Sequence, residues 1–275
     1  MNFRIAKEIK LSLTASLALV VSALPFNSAA QSSIDEDQIT FVKLTAEQYR
    51  NSIRDIFGES IQISGDAASS GVRVAGLMSV GGRRLTLSTS EVESYEVLAL
   101  DIASQVLSPS RRKTLIPCRP QDENAIDNAC ASEFISTVGL HLFRRPLSED
   151  EIENYNAMAR AATDSLGGFY VGLQAALVGM MVSPDFLFRI ERSVSNPEAP
   201  GTRRLDAWSR ASRLSFFLWD TTPNPALLEA AQSGDLLFED GLNQQVENMM
   251  ASPVSYTHLR AHETDSYLVC RLLLE

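Results

Sequence analysis

Histidine, cysteine and tryptophan are scarce in these 275 residues, with three, three and two copies. Zinc centres and redox dithiols draw their ligands from His and Cys, so the scarcity narrows metal and thiol chemistry at the outset. No C-x-x-C-H occurs, which leaves no covalent haem in this stretch of chain, and no C-x-x-C, the spacing that tunes thiol acidity. Basic residues are also short, 24 Lys and Arg against 34 Asp and Glu, for a formal charge of −10. So acidic a chain repels phosphate backbones, whose binding depends on Lys and Arg displacing counterions. That argues against nucleic acid as a partner. Beyond the N-terminal residues no apolar run reaches the roughly 20 residues of a spanning helix. The best, residues 169–182, is too short. The glycines of residues 59–88 do not fall in a phosphate-cradling spacing after a strand, so a nucleotide loop is rejected.

What is present is a chain with 45% apolar residues, enough for a real core and against disorder. Its length allows one large domain or two to three small ones. Residues 1–30 match a secretory signal peptide. Arg4, Lys7 and Lys10 precede an apolar run from Leu11 to Leu24, which Pro25 closes, and the small residues Ser28, Ala29 and Ala30 offer a cleavage point. The expectation is an extracytoplasmic protein, periplasmic or at the cell surface, with no membrane span after cleavage. At the other end, residues 254–275 resemble a translated sequencing adapter. His258 and His262 sit at i, i+4 beside Glu263, a zinc-like pattern. The adapter resemblance removes it, and no metal site and no cofactor is assigned. The natural sequence is then expected to part from this one near Pro253, inside a larger protein.

Between these ends the pattern is that of an all-α fold, tandem small helical modules with an irregular Gly/Ser-rich loop in the first. In the module of residues 38–110, Thr45 and Gln48 form a capping box, with Leu44 and Tyr49 as its hydrophobic staple. Tyr49, Ile53, Ile56 and Phe57 share one face, and Gly58 is the stop. After the loop at 59–88, Ser90 and Glu93 form a second box. Val92, Tyr95, Ala99, Ile102 and Val106 are its helix's stripe.

The central module, residues 111–195, is expected to be pinned by a disulfide between Cys118 and Cys130, the two cysteines of the exported body. The bridge ties an irregular segment to the first turn of a helix whose inner face is Cys130, Phe134, Val138 and Leu142. Pro146 ends that helix, and Leu147, Ser148 and Glu151 begin the next. Its apolar face is Ile152, Tyr155, Ala159 and Ala162, and Gly167-Gly168 breaks it. Residues 169–182 are apolar nearly all round and form the central buried helix, where Gly172 and Gly179 allow close approach of neighbours. Residues 196–253 start a third module. It has a helix from Leu205 to Trp219 with Trp208, Ala211, Leu214, Phe217 and Leu218 inward. Asn224 and Pro225 open a short second helix, and a third runs from about Glu239 to Ala251.

Candidate site residues are few. His141 suits a helix C-terminus, where the macrodipole favours it. Arg144 and Arg145 are candidates for anion binding through bidentate guanidinium forks, with pairing to an internal acid as the structural alternative. Asp185, Glu191 and Asp220 are the catalytic candidates, since paired carboxylates at the right separation run glycosidic acid–base chemistry. The alternative is a pair of inter-helix ion bridges, Arg189–Glu191 and Arg213–Asp220.

Four stretches carry a family resemblance: Leu44-Thr45-x-x-Gln48-Tyr49-x-Asn51-x-x-Arg54-Asp55; Phe143-Arg144-Arg145-Pro146-Leu147; residues 183–191, SPDFLFRIE; and residues 211–219, ASRLSFFLW. In that order they resemble the tandem planctomycete-type secreted domains of unknown function, helical surface-protein domains sometimes linked to c-type cytochrome modules. The resemblance implies an all-helical, extracytoplasmic, multidomain protein of undetermined activity. Its expected role is scaffolding or binding, with an envelope protein or polysaccharide as partner. The rival is an extracytoplasmic hydrolase or cytochrome-linked redox protein whose site lies partly beyond Pro253.

Overall fold

Short hydrogen-bonding side chains decide where most of the helices begin, and glycines or a left-handed residue decide where several stop. The computed structural model describes residues 39–64 and 87–253, all of them in one compact unit, Asp37–Glu275. The chain opens with strand β1 (Ile39–Lys43) and helix α1 (Ala46–Phe57). It continues through α2 (Thr89–Val106), the single turn α3 (Arg112–Leu115), α4 (Asn128–Phe143), α5 (Glu149–Leu166) and α6 (Phe169–Val182). A second single turn, α7 (Pro184–Leu187), runs directly into β2 (Phe188–Ser195), and β3 (Arg203–Leu205) follows. Three more helices complete it: α8 (Ala207–Leu218), α9 (Pro225–Ser233) and α10 (Glu239–Met250). The signal-like residues, the Gly/Ser-rich stretch from 65 to 86, and residues 254–275 with His258, His262 and Glu263 lie outside the described residues.

The fold is predominantly helical, as the periodicity predicts. Thr45 and Gln48 close the expected box on α1, Ser148 and Glu151 that on α5, and Asn224 caps α9 with Pro225 at its first position. One box falls elsewhere. Ser88, not Ser90, caps α2, with Glu91 as its reciprocal partner. Both registers satisfy the pattern, but Glu91 is also the partner of Lys43, at 2.6 Å and almost wholly buried on β1. That tertiary contact selects the earlier start.

Helix α6 is the centre of the larger core. It packs against α5, α2 and α4, and Phe169, Leu173, Ala176, Leu177, Met180 and Met181 are fully buried. Gly172 is required there: a Cβ would overlap Thr163 Oγ1 and the Ala159 carbonyl of α5. This close approach offsets the helix propensity that glycine loses. The core that α6 organises runs from Leu44 on the chain's first described turn to Phe216 on α8. A second, smaller cluster gathers Ala207, Ala211, Leu218, Leu227, Ala231, Leu236 and Met249. Helix α8 therefore serves both cores. The expectation that Phe217 points inward is corrected for this reason: Phe216 is buried at 3% exposure in the larger core, while Phe217 is 67% exposed.

The small sheet is the departure from an all-helical reading. Its order is β1-β2-β3, antiparallel throughout, with Ile39 opposite Arg192, Lys43 opposite Phe188 and Ser193 opposite Leu205. Pairing of Arg203–Leu205 also moves the start of α8 from the expected Leu205 to Ala207, with Asp206 accepting from the Ser209 amide. The Asn196–Thr202 connection is the anticipated turn, closed by the Asn196 amide on the Thr202 carbonyl.

Cys118 and Cys130 are joined, Cα to Cα 5.5 Å. Cys130 is in the first turn of α4, where its amide donates to the capping Asp127 side chain. The closed loop has a second task. No side chain caps α6 at Gly168; instead the Phe169 amide donates to the Glu123 carbonyl at 2.8 Å, from within the disulfide loop. Arg112 braces the same loop, bonding Glu123 at 3.2 Å and lying 4.0 Å from the Tyr170 ring centre. Reduction is expected to cost about 3 kcal/mol of stability by loop entropy. Urea unfolding of oxidised and reduced protein, followed by circular dichroism, measures the difference; equal midpoints would contradict it.

Candidate functional site

The polar residues of the recurring motifs gather where α4 ends, α7 turns into β2 and α8 begins. Arg144 is the C-cap of α4 and adopts the left-handed conformation, φ 60°. That twist sends its side chain inward, where it is 3% exposed. Its Nη2 donates to the carbonyls of Asp185, Phe186 and Phe188, the last two at 3.2 and 2.7 Å. These oxygens lie at the point where helix gives way to strand. The guanidinium carbon also stands 5.9 and 5.7 Å from the Phe186 and Phe216 ring centres, close enough for cation–π attraction. Burial, then repulsion from Arg189, push its pKa down.

Arg145 points the other way. It forks onto both oxygens of Glu151, at 2.8 and 2.7 Å, and reaches Asp185 Oδ1 at 2.6 Å. Glu151 thus completes the cap of α5 and grips Arg145 with one carboxylate. Its pKa is held down to about 2, first by the Arg145 hydrogen bonds.

Glu191 faces inward from β2 and is 1% exposed. Arg189 Nε bonds its Oε1 at 2.9 Å, and Arg213 from α8 reaches both oxygens, Nε to Oε1 at 3.1 Å and Nη2 to Oε2. The expected Arg213–Asp220 bridge is therefore corrected: Arg213 goes to Glu191, because β2 lies against that face of α8. Asp220 sits just past α8 in a left-handed corner, φ 55°. It accepts from Gln48 Nε2 at 2.8 Å, and its carbonyl accepts from Asn51 Nδ2 at 3.2 Å. Next to it Thr221 Oγ1 donates to Asp55 Oδ2 at 2.6 Å, and Thr222 Oγ1 to the His141 carbonyl at 3.0 Å. Gln48, Asn51 and Asp55 share one face of α1, so the first motif is a docking edge for Asp220 and Thr221. The sequence carried a signal for this, three polar residues at i, i+3 and i+7, but nothing in it named the distant partner. His141 is half-buried in the last turn of α4, and burial lowers its imidazole pKa.

Asp185, Glu191 and Asp220 are thus held in three different settings. A small solvent-open cleft, about 40 Å³, is lined by Arg144, Arg145, Asp185, Arg192, Trp208 and Ser212 among others, and of the three carboxylates it includes Asp185 alone. Among the described residues no group of three or more His, Cys, Asp or Glu is placed to hold a metal ion. No helix of the described residues is long and apolar enough to cross a membrane.

Two outcomes follow from the ion pairs. The Glu151 carboxylate stabilises the fold fully above its ordinary pKa of 4.5, and that contribution drains away as pH falls toward 2. Glu151→Gln should flatten the fall of the thermal midpoint across that interval; parallel pH profiles for variant and parent would refute it. Glu191→Gln leaves Arg189 and Arg213 facing a neutral group in a buried site, at a cost of about 3 kcal/mol. Chemical denaturation of the two proteins tests this, and a loss below about 1 kcal/mol would show that the arginines simply rehydrate.

No curated protein and no solved structure matches the chain. Two family models do. Residues 130–191 match PSD5, a protein of unknown function (DUF1595), and residues 205–271 match PSD4, a protein of unknown function (DUF1592). The first match runs from the disulfide cysteine of α4 to the buried carboxylate of β2. The second runs from the end of β3 through α8, α9 and α10 and continues into residues that resemble adapter sequence. The two matched stretches follow one another in the chain, and each is similar to a planctomycete-type domain of unknown function.

Proposed function

We propose that the chain is part of an extracytoplasmic envelope protein in which the tandem domains scaffold or bind, rather than catalyse. The observation that carries this is where the carboxylates go. Asp185 is bridged to Arg145, Glu191 to two arginines, and Asp220 bonds the first helix. A general acid and base must flank one substrate at a defined separation, and three groups engaged in different joints do not supply that. The bridge between Cys118 and Cys130 suits an oxidising compartment, and the N-terminal residues have the pattern of an export signal. Both favour a place outside the cytoplasm. The partner in this reading is an envelope protein or polysaccharide.

The test begins with export. Produced from the full chain, the protein should be recovered outside the cytoplasm with residue 31 as its first, read by N-terminal sequencing. Mixed with purified cell-envelope polysaccharide, it should co-sediment and release no new reducing ends. Release of reducing ends that disappears in Asp185→Asn or Asp220→Asn would overturn the non-catalytic reading in favour of a hydrolase.

A further inference from the structure

The cleft beside Arg144 holds more donor capacity than its own residues use. Arg144 spends Nη2 on three carbonyls, but its buried Nη1 has no hydrogen-bond partner. Arg192 projects from β2 into the same lining, half-buried, and no acceptor among the described residues bonds its guanidinium. Its backbone is fully engaged: the amide donates to Ser209 Oγ at 2.8 Å and the carbonyl accepts from the Asp206 amide at 3.0 Å. The third group is Ser212, one turn further along α8, 3% exposed and with a buried hydroxyl that has no partner. Unsatisfied buried donors are costly and rare, and here two of them border one cleft with an unpaired arginine.

We infer that this cleft binds a single carboxylate through Arg192, Arg144 Nη1 and the Ser212 hydroxyl. Charge selects the class. Arg145 is committed to Glu151 and Asp185, which leaves Arg144 and Arg192 against Asp206 in the lining, one positive charge in excess. One monoanion neutralises that excess, whereas a dianion would meet the two aspartates. A planar carboxylate also matches a guanidinium fork. The carboxylate can come from a free small acid or from an acidic sugar of an envelope polymer. The site deepens the binding role proposed above but does not depend on the absence of catalysis.

The test uses the full chain, with NMR of the arginine Nε–H groups and calorimetry, titrated separately with acetate, glucuronate and phosphate. Acetate and glucuronate should saturate and shift the Arg192 and Arg144 signals, with phosphate weaker. Tighter binding of glucuronate identifies the sugar as the source, and equal binding the free acid. Arg192→Gln should weaken carboxylate binding about tenfold or more at an unchanged thermal midpoint, and Arg192→Lys should restore part of it. Ser212→Ala supplies the second variant, with a smaller loss. No saturable binding by the parent, binding unaffected by Arg192→Gln, or phosphate bound as well as acetate would each overturn the assignment. Consumption of glucuronate-containing oligomers would instead sink the non-catalytic reading and leave the site standing.

Discussion

One buried guanidinium decides how the two halves of the larger core meet. Arg144 can gather carbonyls of residues 185, 186 and 188 only because α4 ends on a left-handed residue that turns it inward. A buried arginine without such acceptors would be prohibitively destabilising. With them, it locks the point where α7 becomes β2. The direction of β2 then follows, and with it the inward position of Glu191 and the placement of Arg192 beside α8. The neighbouring Arg145 fastens the same turn to the cap of α5. The motif FRRPL is in this sense a joint, with the left-handed Arg144 ending the helix, Pro146 just beyond it, and the two arginines facing opposite directions.

The second joint is the corner after α8. Gln48, Asn51 and Asp55 on α1 hold Asp220 and Thr221, and Thr222 reaches the end of α4. Helix α8 contributes Phe216 to the larger core while its alanines and Leu218 build the smaller one. Motifs 150 residues and more apart in sequence are thus in direct contact. Burial raises the Asp55 pKa, the hydrogen bond from Thr221 opposing it. The PSD4 match therefore includes a corner that the rest of the chain grips.

Local chemistry made much of this legible. The boxes at Thr45 and Ser148, the Asn224-Pro225 start and the apolar run of α6 are short-range patterns, and each is found where its residues place it. The disulfide was legible for a different reason, since only two of the three cysteines lie between the signal-like and adapter-like ends. What sequence could not supply was partnership over distance. Ser88 prevails over Ser90 because Lys43 holds Glu91. Phe188–Ser195 is a strand because Ile39–Lys43 lies beside it, and its alternation, with charged Arg189, Glu191 and Arg192 among the apolar residues, gives a weak signal for a half-buried strand. Arg213 finds Glu191 rather than Asp220 for the same reason.

The loop closed by Cys118 and Cys130 supplies the acceptor for the first amide of α6. The covalent link and the start of the central helix therefore share one stretch of backbone. A chain kept in a reducing environment retains every apolar stripe yet lacks the tether that holds Glu123 over Phe169. The covalent link thus bears on the core at one place, the uncapped start of its central helix.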